Sequence, residues 1–426
     1  MTNNLPQGWV ECILGDVLYL QNGYAFNSKD YSETGINIIR ISDIQDNKVT
    51  TEKSVKYNKK DIDKCFHIVK GDFLLAMSGA TTGKTGTYTS DEISYLNQRV
   101  GNLKIYSEEV LLPQYRNYFI ANKRKEIERK AYGGAQPNIS KQLIESLNLL
   151  LPPLKEQKRI VEKIENEFEK IDEGIEKLKL VQEQVKQYKQ SVLNSAFEGK
   201  LYKTTEWEEK KLKEITTKIT DGSHNPPPKQ EFGVPMLSGR NIKNGKINFD
   251  EYRYITESAF QSEIKRTPIE VGDVLLTIVG TIGESAVVPK NTPKFAIQRS
   301  VALLKPQISS FYLKYYLDSP MAFSYYKKNE KGTAQKGIYL ETLKNMIIKL
   351  PLDKDEQQKI VEEIEKRFKV ADNVAKIVEE NLEKAEQLKQ SILKKAFEGR
   401  LVPQDPTDEP ASVLIERIKE ERNNTK

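Results

Sequence analysis

The sequence predicts an α+β protein: two tandem globular domains separated by two long helices that form an antiparallel coiled coil, the whole having pseudo-two-fold symmetry. Three observations predict it. First, Glu156-Gln157-Lys158-Arg159-Ile160-Val161-Glu162-Lys163-Ile164-Glu165 returns as Glu356-Gln357-Gln358-Lys359-Ile360-Val361-Glu362-Glu363-Ile364-Glu365, 200 positions later. Second, Ser191-Val192-Leu193-Asn194-Ser195-Ala196-Phe197-Glu198-Gly199-Lys200-Leu201 returns at the same offset as Ser391-Ile392-Leu393-Lys394-Lys395-Ala396-Phe397-Glu398-Gly399-Arg400-Leu401. Third, apolar residues step by three or four through each repeated segment, the period of an amphipathic helix.

The elements follow in order. Residues 1–152 form the first domain, with strand-length apolar runs such as Ile36–Ile41 and Asp72–Met77 and a helix near Gln114–Lys130. Leu151-Pro152-Pro153-Leu154 ends it, because consecutive prolines interrupt regular structure. Residues 153–200 are the first long helix, with a seam of Ile160, Ile164, Phe168, Ile171, Ile175 and Leu178 and a stop at Gly199. Residues 201–351 repeat the domain grammar. Trp207 answers Trp9, Gly272-Asp273-Val274 answers Gly71-Asp72-Phe73, Gln298-Arg299 answers Gln98-Arg99, and Ala334-Gln335 answers Ala135-Gln136. Residues 352–400 are the second helix, with the seam Ile360, Ile364, Phe368, Ala371, Val378 and Leu382. Each helix, at about 40 residues, would be about 60 Å long, and an isolated helix with such a stripe is poorly stable, so the two are expected to pair. Residues 401–426 add a tail helix after Asp408-Glu409-Pro410, expected to dock on the amino-terminal domain through Val413, Leu414 and Ile418.

Composition narrows the function. The chain of 426 residues carries 67 basic and 61 acidic side chains, a net charge of +6, with 38% hydrophobic and 30% charged residues. Such a balance is compatible with a DNA partner without being diagnostic of one. No apolar run is long enough to span a bilayer, and the amino terminus lacks the pattern of a secretory signal, so a cytoplasmic location is expected. Cys12 and Cys65 have no counterparts in the second repeat and read as free thiols; His67 and His224 belong to no metal-ligand cluster.

Two strings tempt an enzymatic reading. Gly79-Ala80-Thr81-Thr82-Gly83-Lys84-Thr85 resembles a phosphate-binding P-loop, but that motif needs four residues between its glycines and this string has three. The second repeat reads Gly280-Thr281-Ile282-Gly283-Glu284, without the lysine. A Gly/Thr turn after a strand, with Lys84 reaching a DNA phosphate, is the preferred reading. His224-Asn225-Pro226-Pro227-Pro228 resembles the Asn-Pro-Pro-aromatic motif of amino-methyltransferases, but Pro228 stands where the aromatic belongs. A rigid proline turn from which His224 touches DNA fits better. No catalytic constellation recurs in both repeats, which favours a binding subunit.

The candidate DNA-binding residues lie in polar segments at matching places. In the first domain they are Arg40, Ser78, Thr82, Lys84, Gln98, Arg99, Tyr132, Gln136 and Asn138. In the second they are His224, Arg240, Asn241, Thr281, Gln298, Arg299, Lys331, Gln335 and Lys336. Glutamine and arginine are the residue types that read adenine and guanine edges in the major groove. A Gln-Arg pair present in both repeats equally fits a role in the fold or in gripping phosphate.

On these features the chain resembles the specificity subunit of Type I restriction–modification systems. The resemblance rests on Trp9 and Trp207, the Gly-Asp-hydrophobic strands at Gly71 and Gly272, and the Leu-Pro-Pro-Leu…Glu-Gln…Ile-Val segment at 151–161. The Ala-Phe-Glu-Gly-Lys/Arg-Leu helix ends at 196–201 and 396–401 and the Asp-Glu-Pro-Ala tail at 408–411 complete it. Leu201-Tyr202-Lys203 departs from it, lacking the Val-Pro-Gln that follows Leu401. The resemblance implies that each globular part is a target-recognition domain reading one half of a split double-stranded DNA sequence. It implies paired helices that fix the spacer and dock two methyltransferase (M) subunits, with restriction (R) subunits joining them. S-adenosylmethionine, ATP and Mg are then expected on the partner subunits and no cofactor or metal in this chain, which would catalyse nothing. Three rivals stand beside it: the module of a bipartite system that cuts without translocation, a structural adaptor that binds no DNA, and a stand-alone methyltransferase.

Overall fold

The computed structural model describes residues 5–45, 47–58, 62–131, 138–204, 206–332 and 335–424. The chain divides into two compact units. One comprises residues 1–176 and 382–426 and the other residues 177–381. Each long helix is one unbroken element, Leu154–Phe197 and Lys354–Phe397, and each contributes to both units.

Among the described residues, the first unit contains a six-stranded sheet in the order Leu18–Asn22, Val100–Ile105, Phe73–Ala76, Thr85–Thr87, Asn47–Val49, Ile44–Gln45. A five-stranded sheet runs Tyr31–Ser32, Val55–Tyr57, Ile36–Ile39, Ser94–Leu96, His67–Ile68. Phe73–Ala76 is buried along its whole length because it lies inside its sheet and is covered on both faces, which is why it reads as a continuous apolar run. A two-stranded ribbon pairs Val10–Ile13 with Asn148–Leu151 and ties the two ends of the domain together. The helix Pro113–Ala131 packs Tyr115, Phe119, Ile120 and Ile127 into the core.

The second unit repeats this plan in reduced form. Its sheets run Thr216–Asp221, Val301–Pro306, Val274–Thr277, Ser285–Val287 and Arg253–Ile255, Val234–Leu237, Ala296–Ile297, among the described residues. The ribbon Glu208–Lys211 with Ile347–Leu350 closes the domain. Two helices, Ser310–Leu317 and Pro320–Asn329, stand where the first unit has a single long one. Ser319 caps the second of them and Pro320 occupies its first turn, a position that tolerates the missing N–H.

The repeated segments have the same job in both units. Gln157 is fully buried; its side chain accepts from Leu112 N (2.9 Å) and donates to Val110 O (2.8 Å) and Pro152 O (3.1 Å). Gln357 accepts from Ser309 N (2.9 Å) and donates to Pro351 O (2.8 Å). Each glutamine therefore pins its helix to its domain by satisfying otherwise orphaned backbone groups. At the far helix ends, Phe197 packs edge-on against Tyr312 and Tyr316, and Phe397 against Tyr115 and Phe119. Gly199 (φ 76°) and Gly399 (φ 68°) then stop the helices in the left-handed conformation, and a side chain there would strike Trp207 or Pro6 and Trp9.

Helix pairing is antiparallel within each unit. In the first, Lys389 forms an ion pair with Asp172 and its ammonium lies 5.2 Å from the centre of the Phe168 ring; Phe168 meets Tyr118 of the domain. In the second, Lys189 pairs with Asp372 and lies 5.1 Å over Phe368, which meets Tyr315. The apolar seam is less uniform than its periodicity suggests. Ile160, Ile164, Ile360 and Ile364 are buried in cores shared with the domains, and Ala371 and Val378 are also buried. Phe168, Ile171, Ile175, Leu178, Phe368 and Leu382 are half-buried.

The tail helix, Ala411–Asn424, packs Leu414, Ile415 and Ile418 into the first unit's core. Val413, expected on that face, is 40% exposed, and Ile415 takes its place. The buried Asp408 meets Arg159 at 2.7 Å, and Ala411 N donates to Gly8 O. Gln404 donates to Gly399 O (2.8 Å) and Glu156 Oε1 (3.1 Å), and Trp9 Nε1 donates to Glu156 Oε2 (3.0 Å). This bonding accounts for the glutamine of the Val-Pro-Gln sequence that follows the second helix.

Gln157→Ala should lower stability by about 2–3 kcal/mol, because it strands the buried Leu112 N–H and Val110 C=O, while Lys158→Ala at an exposed site should stay within about 0.5 kcal/mol. Urea unfolding of the two variants checks the contrast.

Candidate nucleic-acid interface

In both units the polar segments singled out by sequence converge at one end of the central strands, and backbone hydrogen bonds hold them there. After the buried strand Phe73–Ala76, Met77 N donates to Arg99 O (2.9 Å) and Ile139 N to Met77 O (2.7 Å); Ser78 bridges Asn138. After Val274–Thr277, Ile278 N donates to Ser300 O (2.9 Å) and Ile338 N to Ile278 O (2.8 Å); Val279 bridges Gly337. The turns are fixed from the other side, where Gln98 N donates to Tyr24 O (2.9 Å) and Arg299 N to Ser223 O (2.9 Å); Gln98 thus stands where Arg299 does and Arg99 where Ser300 does, so the two Gln-Arg pairs matched by sequence are one residue out of register in the fold. Two glycines outside the candidate segments make this approach possible. A Cβ on Gly23 would lie 2.2 Å from Asn97 O, and one on Gly222 would lie 2.1 Å from Ile297 O. Their near-equal spacing across the repeats was the available signal.

The second unit folds these segments around a cleft of about 970 Å³. Arg240, Thr281, Gln298, Arg299 and Gln335 all line it. Lys229 and Arg253 line it too, so four basic side chains (Lys229, Arg240, Arg253, Arg299) face two acidic ones, Asp250 and Glu251. Arg299 is exposed and has no ion-pair or hydrogen-bond partner for its guanidinium among the described residues. Tyr252 and Tyr254 add aromatic surface, their rings 5.1 Å apart and their hydroxyls 3.2 Å apart. That hydrogen bond raises the Tyr252 hydroxyl above the usual phenol range. The alternation Tyr252-Arg253-Tyr254 is the sequence sign of this surface. Cations for phosphates with aromatic and amide groups for bases suit DNA.

Other candidates sit elsewhere. Asn241 is buried, its carboxamide accepting from Ser238 N (2.9 Å) and donating to Asn248 O (3.0 Å) and Glu251 O (2.8 Å); it holds the turn that carries Arg240. Arg40 precedes the matching turn of the first unit, where Arg40 N donates to Asp43 Oδ2 (2.8 Å), so Arg40 corresponds to Ser238 rather than to Arg240. Thr82 is buried and donates to Gly79 O (2.6 Å), turning its hydroxyl inward. Lys84 lines a separate cleft with Glu165, Asp172 and Lys389 beside the long helices, away from the Gln98–Arg99 turn. His224 is exposed but its Nε2 lies 2.7 Å from Asp221 Oδ2, which also pairs with Arg266. Lys331 lies 5.9 Å over the Tyr339 ring and Lys336 pairs with Glu330. Gln98, Arg99 and Asn138 are exposed, and Ser78 is half-buried with its hydroxyl unpartnered among the described residues. Tyr132 and Gln136 lie outside the described residues.

The P-loop-like turn is shaped by packing. Gly79 and Gly280 have φ near 80° (82° and 81°), and a Cβ on Gly83 or Gly283 would press against Glu128 or the Tyr326 ring. Thr81 donates to Ile41 O (3.1 Å), so this threonine too serves the fold. Burial pushes the Cys12 thiol up to about 12, which keeps it un-ionised and non-nucleophilic near neutral pH. Among the described residues no three His, Cys, Asp or Glu side chains are grouped to hold a metal, and no helix is long and apolar enough to cross a membrane.

Arg299→Ala should weaken DNA binding and reduce the slope of log K against log salt by about 1, the signature of one lost phosphate contact, with the fold unchanged. Asn241→Ala should instead lower stability by about 1–3 kcal/mol, since its carboxamide spans three backbone groups. Salt-titrated binding and thermal melting of both variants separate the two roles.

The family model of the Type I restriction modification DNA specificity domain matches residues 6–182 and again 204–384. The EcoBI specificity subunit of Escherichia coli is 27% identical, the match covering 98% of this chain and 93% of the relative. The EcoKI specificity subunit of Escherichia coli strain K12 is also 27% identical, over 98% of this chain and 96% of the relative. A solved structure from work on complex assembly and conformational transition of the type I R-M system superposes with a TM-score of 0.68, covering 93% of this chain and all of that chain at 21% identity. With two specificity domains matched across most of its length and both carried on exchanged helices, the chain belongs to the family of Type I restriction–modification specificity subunits.

Proposed function

We propose that this chain selects the DNA target of a Type I restriction–modification complex, each unit reading one half of a bipartite sequence. The basic, aromatic-lined cleft of the second unit carries this reading, because it gathers groups suited to phosphates and base edges on a repeat that matches a DNA specificity domain. The first unit uses its exposed Gln98, Arg99 and Asn138 in the same way. The paired long helices fix the spacing between the two half-sites and dock two methyltransferase subunits; restriction subunits join the assembly. The chain is the non-catalytic, cytoplasmic member. S-adenosylmethionine, ATP and Mg belong to its partners, where adenine methylation and DNA cleavage take place. The Lys389–Phe168 and Lys189–Phe368 contacts support the spacing role, since they lock helix to helix and helix to domain at one point in each unit.

The purified chain should bind duplex DNA with an affinity that falls steeply as salt rises, because counterions return to the phosphates. It should take up no S-adenosylmethionine by itself. Affinity indifferent to salt would favour a structural adaptor, and cofactor uptake by the isolated chain would favour a stand-alone methyltransferase. Titration calorimetry and fluorescence anisotropy at several salt concentrations make both measurements.

A further inference from the structure

Phe232 is 82% exposed, far more than the other phenylalanines left at the surface, Phe311 and Phe323. A single exposed apolar side chain is ordinary on a protein surface, so the weight falls on how Phe232 is held. Its surroundings show that the exposure is built in. Pro226-Pro227-Pro228 stiffens the approach. Arg253 Nη1 then reaches back to Pro227 O (3.3 Å), and Gln230 N donates to Tyr254 O (3.0 Å). Beyond the tip, Gly233 takes φ 136° with its α-carbon so close to the neighbouring strand that a Cβ would lie 2.3 Å from Ile255 O, and Val234 pairs with Ile255. Phe232 is therefore the tip of a short loop clamped on both sides to Arg253–Ile255, the strand whose Arg253 and Tyr254 line the basic cleft.

The first unit has the same loop without the aromatic. A Cβ on Gly35 would lie 2.4 Å from Tyr57 O, as Gly233 does to Ile255 O, and the residue before Gly35 is Thr34, also exposed. The clamp is common to both repeats and the tip differs.

Resting on the reading that the cleft binds DNA, we propose that Phe232 is a wedge that stacks into a base step of the half-site read by the second unit. Apolar side chains on rigid supports beside cationic surface partly unstack and kink duplexes in this way, and the cost depends on the step, so a wedge contributes specificity without hydrogen bonds to bases. Lys229 and Arg253 supply the phosphate contacts that would hold the duplex against the tip.

The test uses the full-length chain, and selection from a pool of random-sequence duplexes. The wild type should enrich a split motif. Phe232→Ala and Phe232→Thr should lose sequence information in one half only, and should bind the wild-type motif about tenfold more weakly, the scale of one stacked base. Phe232→Trp should keep both halves. All three variants should melt as the wild type does, given the exposure of the site. A duplex with 2-aminopurine at the affected step should brighten with the wild type and stay dark with Phe232→Ala, which a groove contact without unstacking would not produce. If Phe232→Ala enriches the same motif with the same affinity, or if 2-aminopurine never brightens, the wedge is wrong while bipartite recognition stands. If the wild type enriches no split motif, the proposed function falls and the wedge falls with it.

Discussion

The structure depends on one packing constraint: each unit's core is closed by two helix segments from different repeats. The first unit buries Ile160, Val161 and Ile164 from the start of one long helix together with Ile392, Leu393, Ala396 and Phe397 from the end of the other. The second buries Ile360, Val361 and Ile364 with Val192, Leu193, Ala196 and Phe197. A stretch of one repeat cannot complete its own core, so domain folding and helix pairing are one event. A helix of 44 residues with a narrow apolar stripe would be marginal alone. Here its ends are fastened by domain cores, and the middle needs only a lighter seam, where Ile175 and Leu178 stay half-buried.

The same constraint explains why the helix segments are near copies while the domains between them diverge. Gln157 and Gln357 satisfy equivalent backbone groups, Phe197 and Phe397 fill equivalent aromatic pockets, and Gly199 and Gly399 end the helices against equivalent tryptophans. Changing either copy would strand buried polar groups or open a cavity. The cleft-lining turns meet no such demand. One unit places Thr34 where the other has Phe232, and Arg40 stands at the position of Ser238. Difference is tolerated where side chains face outward from a scaffold fixed by backbone hydrogen bonds.

Much of this was legible from sequence because it is periodic. The duplication, the helix limits and the stop at Gly199 follow from spacing alone, and the helix Pro113–Ala131 follows from an apolar face. The cleft was legible as a set of segments and less so as side chains. Arg240, Thr281, Gln298, Arg299 and Gln335 converge on one cleft, yet Asn241 and Thr82 turn inward to satisfy the backbone, and Lys84 lies beside the helices. A polar residue in a turn serves the chain or a ligand according to which atoms are orphaned nearby, and long-range pairing decides that. The role of Gly23 and Gly222 is illegible in the sequence for the same reason: it is a close approach between strands distant in sequence. Val413 and Ile415 exchanged places because helical periodicity allows either face until the partner core is known.

Two units on exchanged helices are expected to read two halves of one DNA target. Single-molecule methylation sequencing of the host genome, with and without this gene, tests it most directly. Deletion should abolish adenine methylation at one split motif whose two halves are separated by a fixed gap, and restoring the gene should restore it. Methylation dependent on the gene at a single undivided motif, or at halves with a variable gap, would contradict it.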